Sequence, residues 1–285
     1  MGGMFQTLRN AWKIPDLRKK IIITIALLII YRIGSFIPVP GLDPSAFEEL
    51  VGKGSLFGVI DMITGGAFQN ATIFAMSITP YINASIIMQL LCVAIPKLEM
   101  LQKEGEEGRK IIAKYTRYVG VLLGFLQAVG LYFGLGNNIQ AENPILSFFT
   151  VTLTFTAGTA FLMWLGEQIT EYGIGNGISL IIFAGIVSRG PSGAITLYSY
   201  YKGGNLGAGI IGIISIILIL AVFVALIAAV VWVQEAERRI PVQYAKRVVG
   251  RKMYGGQSSH IPIKLNLAGV IPIIFALSIM MFPST

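Results

Sequence analysis

The chain has 285 residues, of which 54% are hydrophobic and only 13% are charged, and its mean hydropathy is +0.73. Soluble globular domains carry about 25% charged residues, so this composition excludes that class and favours a chain that lies in lipid. The single cysteine, Cys92, and the single histidine, His260, argue against an internal disulfide, a metal cluster and a hydrolase triad. We therefore expect no metal, no cofactor and no enzymatic activity.

Long uncharged stretches dominate the sequence. A helix needs about 20 residues to cross a hydrocarbon core, and six windows of roughly that length or more lack Asp, Glu, Lys and Arg: 62–96, 118–141, 143–166, 172–188, 203–234 and 265–285. A seventh apolar window, 21–38, is interrupted only by Arg32, whose long side chain can carry its charge to an interface. The sequence therefore predicts an all-α polytopic membrane protein with about seven transmembrane helices.

The basic residues predict the orientation, because Lys and Arg near span ends are retained on the cytoplasmic side. With the N-terminus in the cytoplasm, the seven spans place eighteen basic residues in cytoplasmic segments and only three, Lys53, Arg189 and Lys202, in external ones. The formal net charge of +8 is then concentrated on one face. Anionic lipid headgroups or an anionic cytoplasmic partner would bind such a face.

An apolar segment too short to be a span follows the first predicted span. Residues 5–20 are amphipathic and are predicted to lie on the cytoplasmic surface, and the first span is predicted to end at the prolines of IPVPGLDP. Residues 54–67 are bounded by glycines and carry Asp61, so they favour a half-inserted or pore-filling piece. Backbone of this kind is tolerated at membrane depth only inside protein or a water-filled cavity. The segment therefore predicts a cavity.

The next four spans are predicted as hairpins at 71–94, 118–136, 145–166 and 176–189. The fifth span is short and begins with EYGIGNGI, whose three glycines would break a helix that enters from the fourth span. These glycines match neither the GxxxxGK[ST] nor the GxGxxG pattern, and no strand precedes them. A flexible hinge is therefore favoured over a nucleotide site.

A long polar segment, residues 234–264, separates the sixth and seventh spans. Ile240 and Val242 alternate with polar residues, as Ile261 and Ile263 do, and this period of two predicts a pair of strands that projects as an arm. The arm is basic toward its tip, through Arg238, Arg239, Lys246, Arg247, Arg251 and Lys252. These residues either act only as cytoplasmic retention charges or dock on ribosomal RNA phosphates or an acidic motor protein.

Five motifs resemble the SecY family, the central subunits of the bacterial protein-conducting channel: RIGSFIPVPG, FAMSITPYINASIIMQLL, EGRKIIAKYTRY, MWLGEQITEYGIGNGIS and NLAGVIPIIFALSI. The resemblance implies a ten-helix clamshell of two five-span halves around an hourglass pore, which is closed by a plug and opens sideways to lipid. The chain would hold a cytoplasmic segment at 1–20, the first half at 21–189 and part of the second half at 190–285. Because it stops within the seventh span, we expect little or no translocation by this chain alone.

The resemblance assigns the plug to the short glycine-bounded segment. Its members are Ser55, Leu56, Phe57, Gly58, Val59, Ile60, Asp61, Met62, Ile63, Thr64, Gly65, Gly66 and Ala67. The two lines of inference therefore agree on the same stretch of chain.

The pore constriction of the family is a ring of isoleucines, and the matching residues are Ile78, Ile82, Ile178, Ile182 and Ile274. Residues four apart share a helix face, so Ile78 stacks with Ile82 and Ile178 stacks with Ile182. An apolar collar of this kind can yield to a moving chain yet resist ions by dewetting. Pro80 and Pro272 are expected to kink the helices beside this collar. Without the resemblance, ordinary core isoleucines would be the preferred interpretation.

The resemblance implies a lateral gate between spans two and three on one side and spans seven and eight on the other. In this chain Ser85 and Gln89 give the second span a polar stripe, although such residues commonly bond a neighbouring helix. The arm matches the family's docking loop for the ribosome and the motor ATPase SecA. The implied partners also include the small membrane subunits SecE and SecG, signal sequences and nascent polypeptides, beside the anionic lipids inferred from charge. The implied location is the bacterial inner (plasma) membrane, with multiple spans.

The predicted function is passive conduction of unfolded polypeptides for export and membrane insertion, energised by a partner. The alternative is a secondary transporter of a small solute, but the spans offer only Arg32, Gln89 and a few Ser, Thr and Asn, with no acidic or His pair for ion coupling. A membrane enzyme would need a catalytic pair. Glu167 and Glu171 lie four apart, yet solvated carboxylates at a span end are the favoured interpretation.

Overall fold

The computed structural model describes residues 12–52, 56–135, 143–204, 210–242, 247–249, 252–254, 259–266 and 276. The chain divides into two compact units, one of residues 1–192 with 277–285 and one of residues 193–276.

The described residues are mostly helical. The helices are α1 (Pro15–Gly34), α2 (Pro44–Gly52), α3 (Leu56–Thr64), α4 (Thr79–Ala94), α5 (Pro96–Lys103), α6 (Glu106–Leu135), α7 (Pro144–Tyr172), α8 (Gly177–Ser188), α9 (Gly190–Lys202) and α10 (Ile210–Glu235). The strands are β1 (Glu237–Val242), β2 (Arg247–Val249), β3 (Lys252–Tyr254) and β4 (Ser259–Lys264). The predicted class, an α-helical polytopic membrane protein, is confirmed.

Within the described residues, four helical stretches are long and apolar enough to cross a membrane: α6, α7, the run Gly177–Lys202 and the run Ile211–Glu235. Helices α4 and α5 make a fifth if the pair, bent by 102°, counts as one span. Helix α1 has 20 residues, but Arg32 and the basic residues of its first turns keep it out of this group. Most of the predicted seventh span, 265–285, lies outside the described residues, so the count of seven stays a prediction.

The second predicted span, 71–94, is wrong at its N-terminal end. Helix α4 begins only at Thr79, and residues 65–78 form a series of turns in which Ala71 and Ser77 adopt positive φ angles of 48° and 52°. Pro80 lies in the first turn of α4, where its missing N–H breaks no helical hydrogen bond. The proline therefore opens this helix and does not kink it. Ala71 is 1% exposed, so these turns lie inside protein, as non-helical backbone at membrane depth must.

The glycine-rich turn between α7 and α8 is closely packed at its two ends, Gly173 and Gly177, whereas residues 174–176 are exposed, and its role as a flexible hinge stays a prediction. The N–H of Ile174 donates to the Thr24 hydroxyl (3.1 Å), and the N–H of Gly177 donates to the Thr170 hydroxyl (2.9 Å). A Cβ on Gly177 would lie 2.0 Å from the carbonyl oxygen of Gly166. Glycine therefore serves close backbone approach at this position. The predicted break at this turn is present, and α8 ends at Ser188, next to the predicted end of the fifth span at 189; α9 then extends the helical run to Lys202.

The first unit is built around two apolar clusters. One of them joins α2, the turns after α3, α6 and α7 and contains Val39, Phe47, Phe68, Ala71, Ala75, Met76, Ala128, Leu135, Val151 and Phe155. The rings of Phe47 and Phe68 meet edge to face at 5.2 Å between centroids, a favoured aromatic geometry. By contrast, Leu122, Leu126 and Phe133 of α6 are 55–71% exposed. An apolar surface of this kind is stable where lipid tails replace water.

The second unit contains α10 and a strand pair. Strands β1 and β4 are antiparallel, with Arg239 opposite Pro262 and Ile240 opposite Ile261, and β2 pairs with β3. Strands β1 and β4 contain the alternating residues from which the strand pair was predicted. Since successive side chains point to opposite faces of a strand, this register puts Arg239 and Lys264 on one face and Ile240 and Ile261 on the other.

Candidate functional site

The predicted collar residues lie on α8 and at the start of α4. Ile78 is the N-cap of α4 and is fully buried, and its carbonyl accepts a hydrogen bond from the N–H of Ile82 at 3.0 Å. Ile178 and Ile182 are half-buried residues of α8, one helical turn apart. Ile274 lies outside the described residues.

Three of the collar residues belong to one apolar cluster. Ile82 and Ile178 pack against a buried core that contains Tyr31, Phe74, Ile78, Leu162, Leu165, Ile169 and Ile181. The cluster joins α1, α4, α7 and α8, so isoleucines 100 residues apart in the chain share one environment. Ile182 is not among its members. The geometry places the predicted isoleucines together, while their role in a pore stays a prediction.

The predicted plug contains the short helix α3 and the turn that follows it. Asp61, Thr64 and Ala67 are each 1% exposed, whereas Met62 is 64% exposed. Ser55 and the side chains of Leu56, Phe57, Val59 and Ile60 lie outside the described residues. Residues 64–67 are all buried, and Met62 is the exposed residue of this half of the segment.

Helix α1 holds the C-terminal end of α3 through hydrogen bonds to carbonyl groups. The last carbonyls of a helix have no partner within the helix. The Tyr31 hydroxyl donates to the carbonyl of Thr64 (3.4 Å), and the Arg32 guanidinium donates to the carbonyl of Gly65 (3.4 Å). The guanidinium also complements the negative end of the helix dipole. Arg32, the basic residue that interrupts the first predicted span, thus has a local partner in the plug.

Helix α8 supports the same end of α3 by close backbone approach. A Cβ on Gly185 would lie 2.2 Å from the carbonyl oxygen of Ile63. A Cβ on Gly65, whose φ is +68°, would lie 2.5 Å from the carbonyl oxygen of Gly185. Neither position has room for a side chain, so both glycines are required for α3 to dock on α8.

An ion pair between Asp61 and Arg189 completes the contacts of the plug. The Arg189 guanidinium donates to one oxygen of the Asp61 carboxylate, and the backbone N–H of Gln69 donates to the other, Oδ1, at 2.9 Å. The same guanidinium lies 3.4 Å from the Gln69 side-chain oxygen. The sequence analysis counted Asp61 among the plug residues and as a reason against a span, but gave neither Asp61 nor Arg189 a partner. The signal that could have found the pair was an acidic residue inside an apolar segment and a basic residue on the otherwise charge-poor external side.

The predicted gate residues line a small cavity with both polar and apolar walls. Ser85 is half-buried and Gln89 is exposed, and both border a cavity of about 230 Å³ between α4, α5 and α6 with Cys92, Gln102 and Arg109. The structure thus brings the two residues together on one face of α4, and their role as a gate stays a prediction.

The carboxylate of Glu167 has a basic partner. The Arg117 Nε donates to Glu167 Oε1 at 3.0 Å, and a second nitrogen of the guanidinium donates to Oε2, so the pair is bidentate and joins α6 to α7. Glu171 is exposed. Among the described residues, no three His, Cys, Asp or Glu side chains lie together as a metal site would require.

Four of the six predicted docking residues lie on strands of the second unit. Arg238 and Arg239 are exposed residues of β1. Arg247 begins β2 and Lys252 begins β3. Lys246 and Arg251 lie outside the described residues.

Comparison with known proteins identifies the family. The family model described as SecY matches residues 72–285. A protein translocase subunit SecY of Halalkalibacterium halodurans is 49% identical over 99% of this chain and 66% of the relative, and that of Aquifex aeolicus is 45% identical over 99% of this chain and 67% of the relative. The chain thus spans about two thirds of the length of the curated relatives it matches.

Solved structures show the same fold. A protein-conducting channel aligns with a TM-score of 0.63 at 24% identity, over 92% of this chain and 56% of that one. A SecY structure whose plug domain is described as stabilising the closed state of its channel aligns with a TM-score of 0.61 at 24% identity, over 93% of this chain and 56% of that one.

The helices, the enclosed turns and the docked short helix define a multi-pass α-helical membrane protein with an internal segment held against its bundle. The bacterial relatives locate such a protein in the plasma membrane. The chain belongs to the SecY family.

Proposed function

We propose that this chain forms part of a channel that conducts unfolded polypeptides for export and membrane insertion. The observation that carries the proposal is the meeting of Ile78, Ile82 and Ile178 in one apolar cluster in the unit that also docks the plug on α1 and α8. An apolar constriction resists ions by dewetting and yields to a passing chain. The curated relatives are named as translocase subunits, which favours this function over the alternative of a secondary transporter.

The energy for movement comes from a partner, and the site supplies a passive path. The described residues hold no nucleotide-binding pattern and no acidic pair at the collar. The partners proposed are SecA or the ribosome at the arm, SecE and SecG in the membrane, and signal sequences and nascent polypeptides within the channel. One solved neighbour is a Sec61 channel in a ribosome complex, and that observation supports a ribosome-type partner.

Export in cells tests this function. We expect a fusion of this chain with the last third of the Halalkalibacterium halodurans relative, called the fused channel below, to restore export of a signal-bearing protein in cells of that species depleted of their own SecY. The chain without the fusion partner should restore little, because the proposed pore has only part of its wall. Membrane levels of both proteins are the control, and a fused channel that reaches the membrane at the normal level but restores no export would contradict the function.

A further inference from the structure

Asp61 is an unusual residue for its place. It is 1% exposed, and the other buried polar residues of the described chain are Ser and Thr. A carboxylate removed from water needs a partner and hydrogen bonds to offset its desolvation. Arg189 and the N–H of Gln69 supply both, and the Arg189 side chain keeps 36% of its surface exposed. Asp61 is therefore satisfied only while α3 lies against the end of α8.

Two glycines in the surrounding backbone turn the chain so that these groups meet without backbone strain. Gly65 and Gly66 turn the chain with φ angles of +68° and +91° directly after α3. A Cβ on Gly66 would lie 3.2 Å from the Arg189 guanidinium, so the turn passes close to that side chain. Gln69 then lies where its N–H reaches Asp61 and its side-chain oxygen faces Arg189.

We propose that Asp61, Arg189 and Gln69 form an electrostatic latch that sets how readily the plug leaves the end of α8. The inference rests on the proposed function, because it treats α3 as a movable plug. Apolar contacts exchange easily for lipid or for a passing chain, since they are not directional. An ion pair with a fixed hydrogen bond returns the segment to one position, and separating its charges opposes release. Arg189 and Asp61 are thus positioning residues for the closed state.

The accessibility of a cysteine next to the latch tests the proposal. Ala67 is buried at 1% exposure, so Ala67→Cys, in a Cys92→Ala background of the fused channel, reports release of the segment through its rate of labelling by a membrane-impermeant maleimide. Asp61→Asn keeps the size and the oxygen that accepts from Gln69 but removes the charge. We expect Asp61→Asn to raise the labelling rate about tenfold or more, as the loss of a buried charge partner implies.

Further variants separate a latch from a general loosening. Arg189→Gln should also raise the labelling rate. Arg189→Lys keeps the charge, so its labelling rate should stay within about threefold of the rate with Arg189. Glu167→Gln is the matched control, because it breaks the ion pair of Glu167 with Arg117, which joins α6 to α7 and includes no plug residue, and it should leave the rate unchanged. Wild-type labelling rates in both Asp61→Asn and Arg189→Gln, or an equal rise in Glu167→Gln, would overturn the proposal.

Failure of the latch and failure of the channel are distinguishable. Labelling requires only a folded chain in a membrane, so it reports on the segment even if no polypeptide passes. Faster labelling of the latch variants, in a fused channel that exports nothing, would support the latch proposal and contradict the proposed function. Normal export with unchanged labelling in the latch variants would contradict the latch alone.

Discussion

Replacing both Ile82 and Ile182 with glycine should increase the resting ion conductance of membranes that contain the fused channel by on the order of tenfold. Ile82 belongs to the apolar cluster with Ile78 and Ile178, and Ile182 lies one turn beyond Ile178 on α8. Each substitution removes a branched side chain from the proposed constriction. Water then wets the gap, and ions follow it.

The control for this result places the same substitution on the lipid face. Ile213 and Ile217 of α10 are 48% and 60% exposed and belong to neither of the two apolar clusters, so Ile213→Gly with Ile217→Gly imposes a similar loss of helix propensity, roughly 0.5 kcal/mol at each position. Conductance in planar bilayers is the measurement. Equal conductance in the two double variants would show that the collar isoleucines do not seal a pore.

Reversing the charge of Arg238 and Arg239 should weaken binding to ribosomes by about tenfold or more at low salt, and should flatten its salt dependence. Both residues are exposed on β1, and Arg239 shares its face of the strand pair with Lys264. The logarithm of the affinity falls as the logarithm of the salt concentration rises, and each lost phosphate contact makes this slope less steep by about 0.7 to 0.9. Arg238→Glu with Arg239→Glu should therefore make the slope less steep by roughly 1.4 to 1.8 units if both arginines contact phosphate.

The matched control reverses the same number of charges on a helix of the first unit. Lys110 and Lys114 are exposed residues of α6 on the side predicted to be cytoplasmic, and their replacement with Glu should change the slope little. Co-sedimentation of the fused channel with ribosomes, and separately with SecA, provides the measurement. Loss of SecA binding alone would assign the arm to the motor, and equal binding by both double variants would contradict a docking arm.

The sequence predicted the helical membrane class, the break at the glycine-rich turn and the strand pair of the arm, because each depends on local pattern. Uncharged runs of span length, three closely spaced glycines and period-two alternation are all visible along the chain. The start of α4 was mispredicted for the same reason. Residues 71–78 are as apolar as a span, and hydropathy does not distinguish enclosed turns from a helix.

Contacts between distant parts of the chain were beyond sequence reasoning. Asp61 and Arg189 are 128 positions apart, and nothing in their neighbourhoods specifies that the two meet. The isoleucines of the collar were selected by resemblance to a family, since spans are rich in isoleucine and spacing alone gives no preference. The close approach of Gly177 to Gly166 was not predicted, because a glycine that permits motion and one that permits contact look identical in sequence.

The most direct test of the central claim, that the collar surrounds a moving polypeptide, is cross-linking from single positions of the fused channel to a polypeptide arrested during export. A photoreactive residue in place of Ile82 or of Ile178 should capture the arrested chain. The same residue in place of Phe133, which is 71% exposed on α6, should capture lipid. Capture at 82 and 178 but not at 133 is the predicted result, and capture at 133 with none at the two collar positions would contradict the claim.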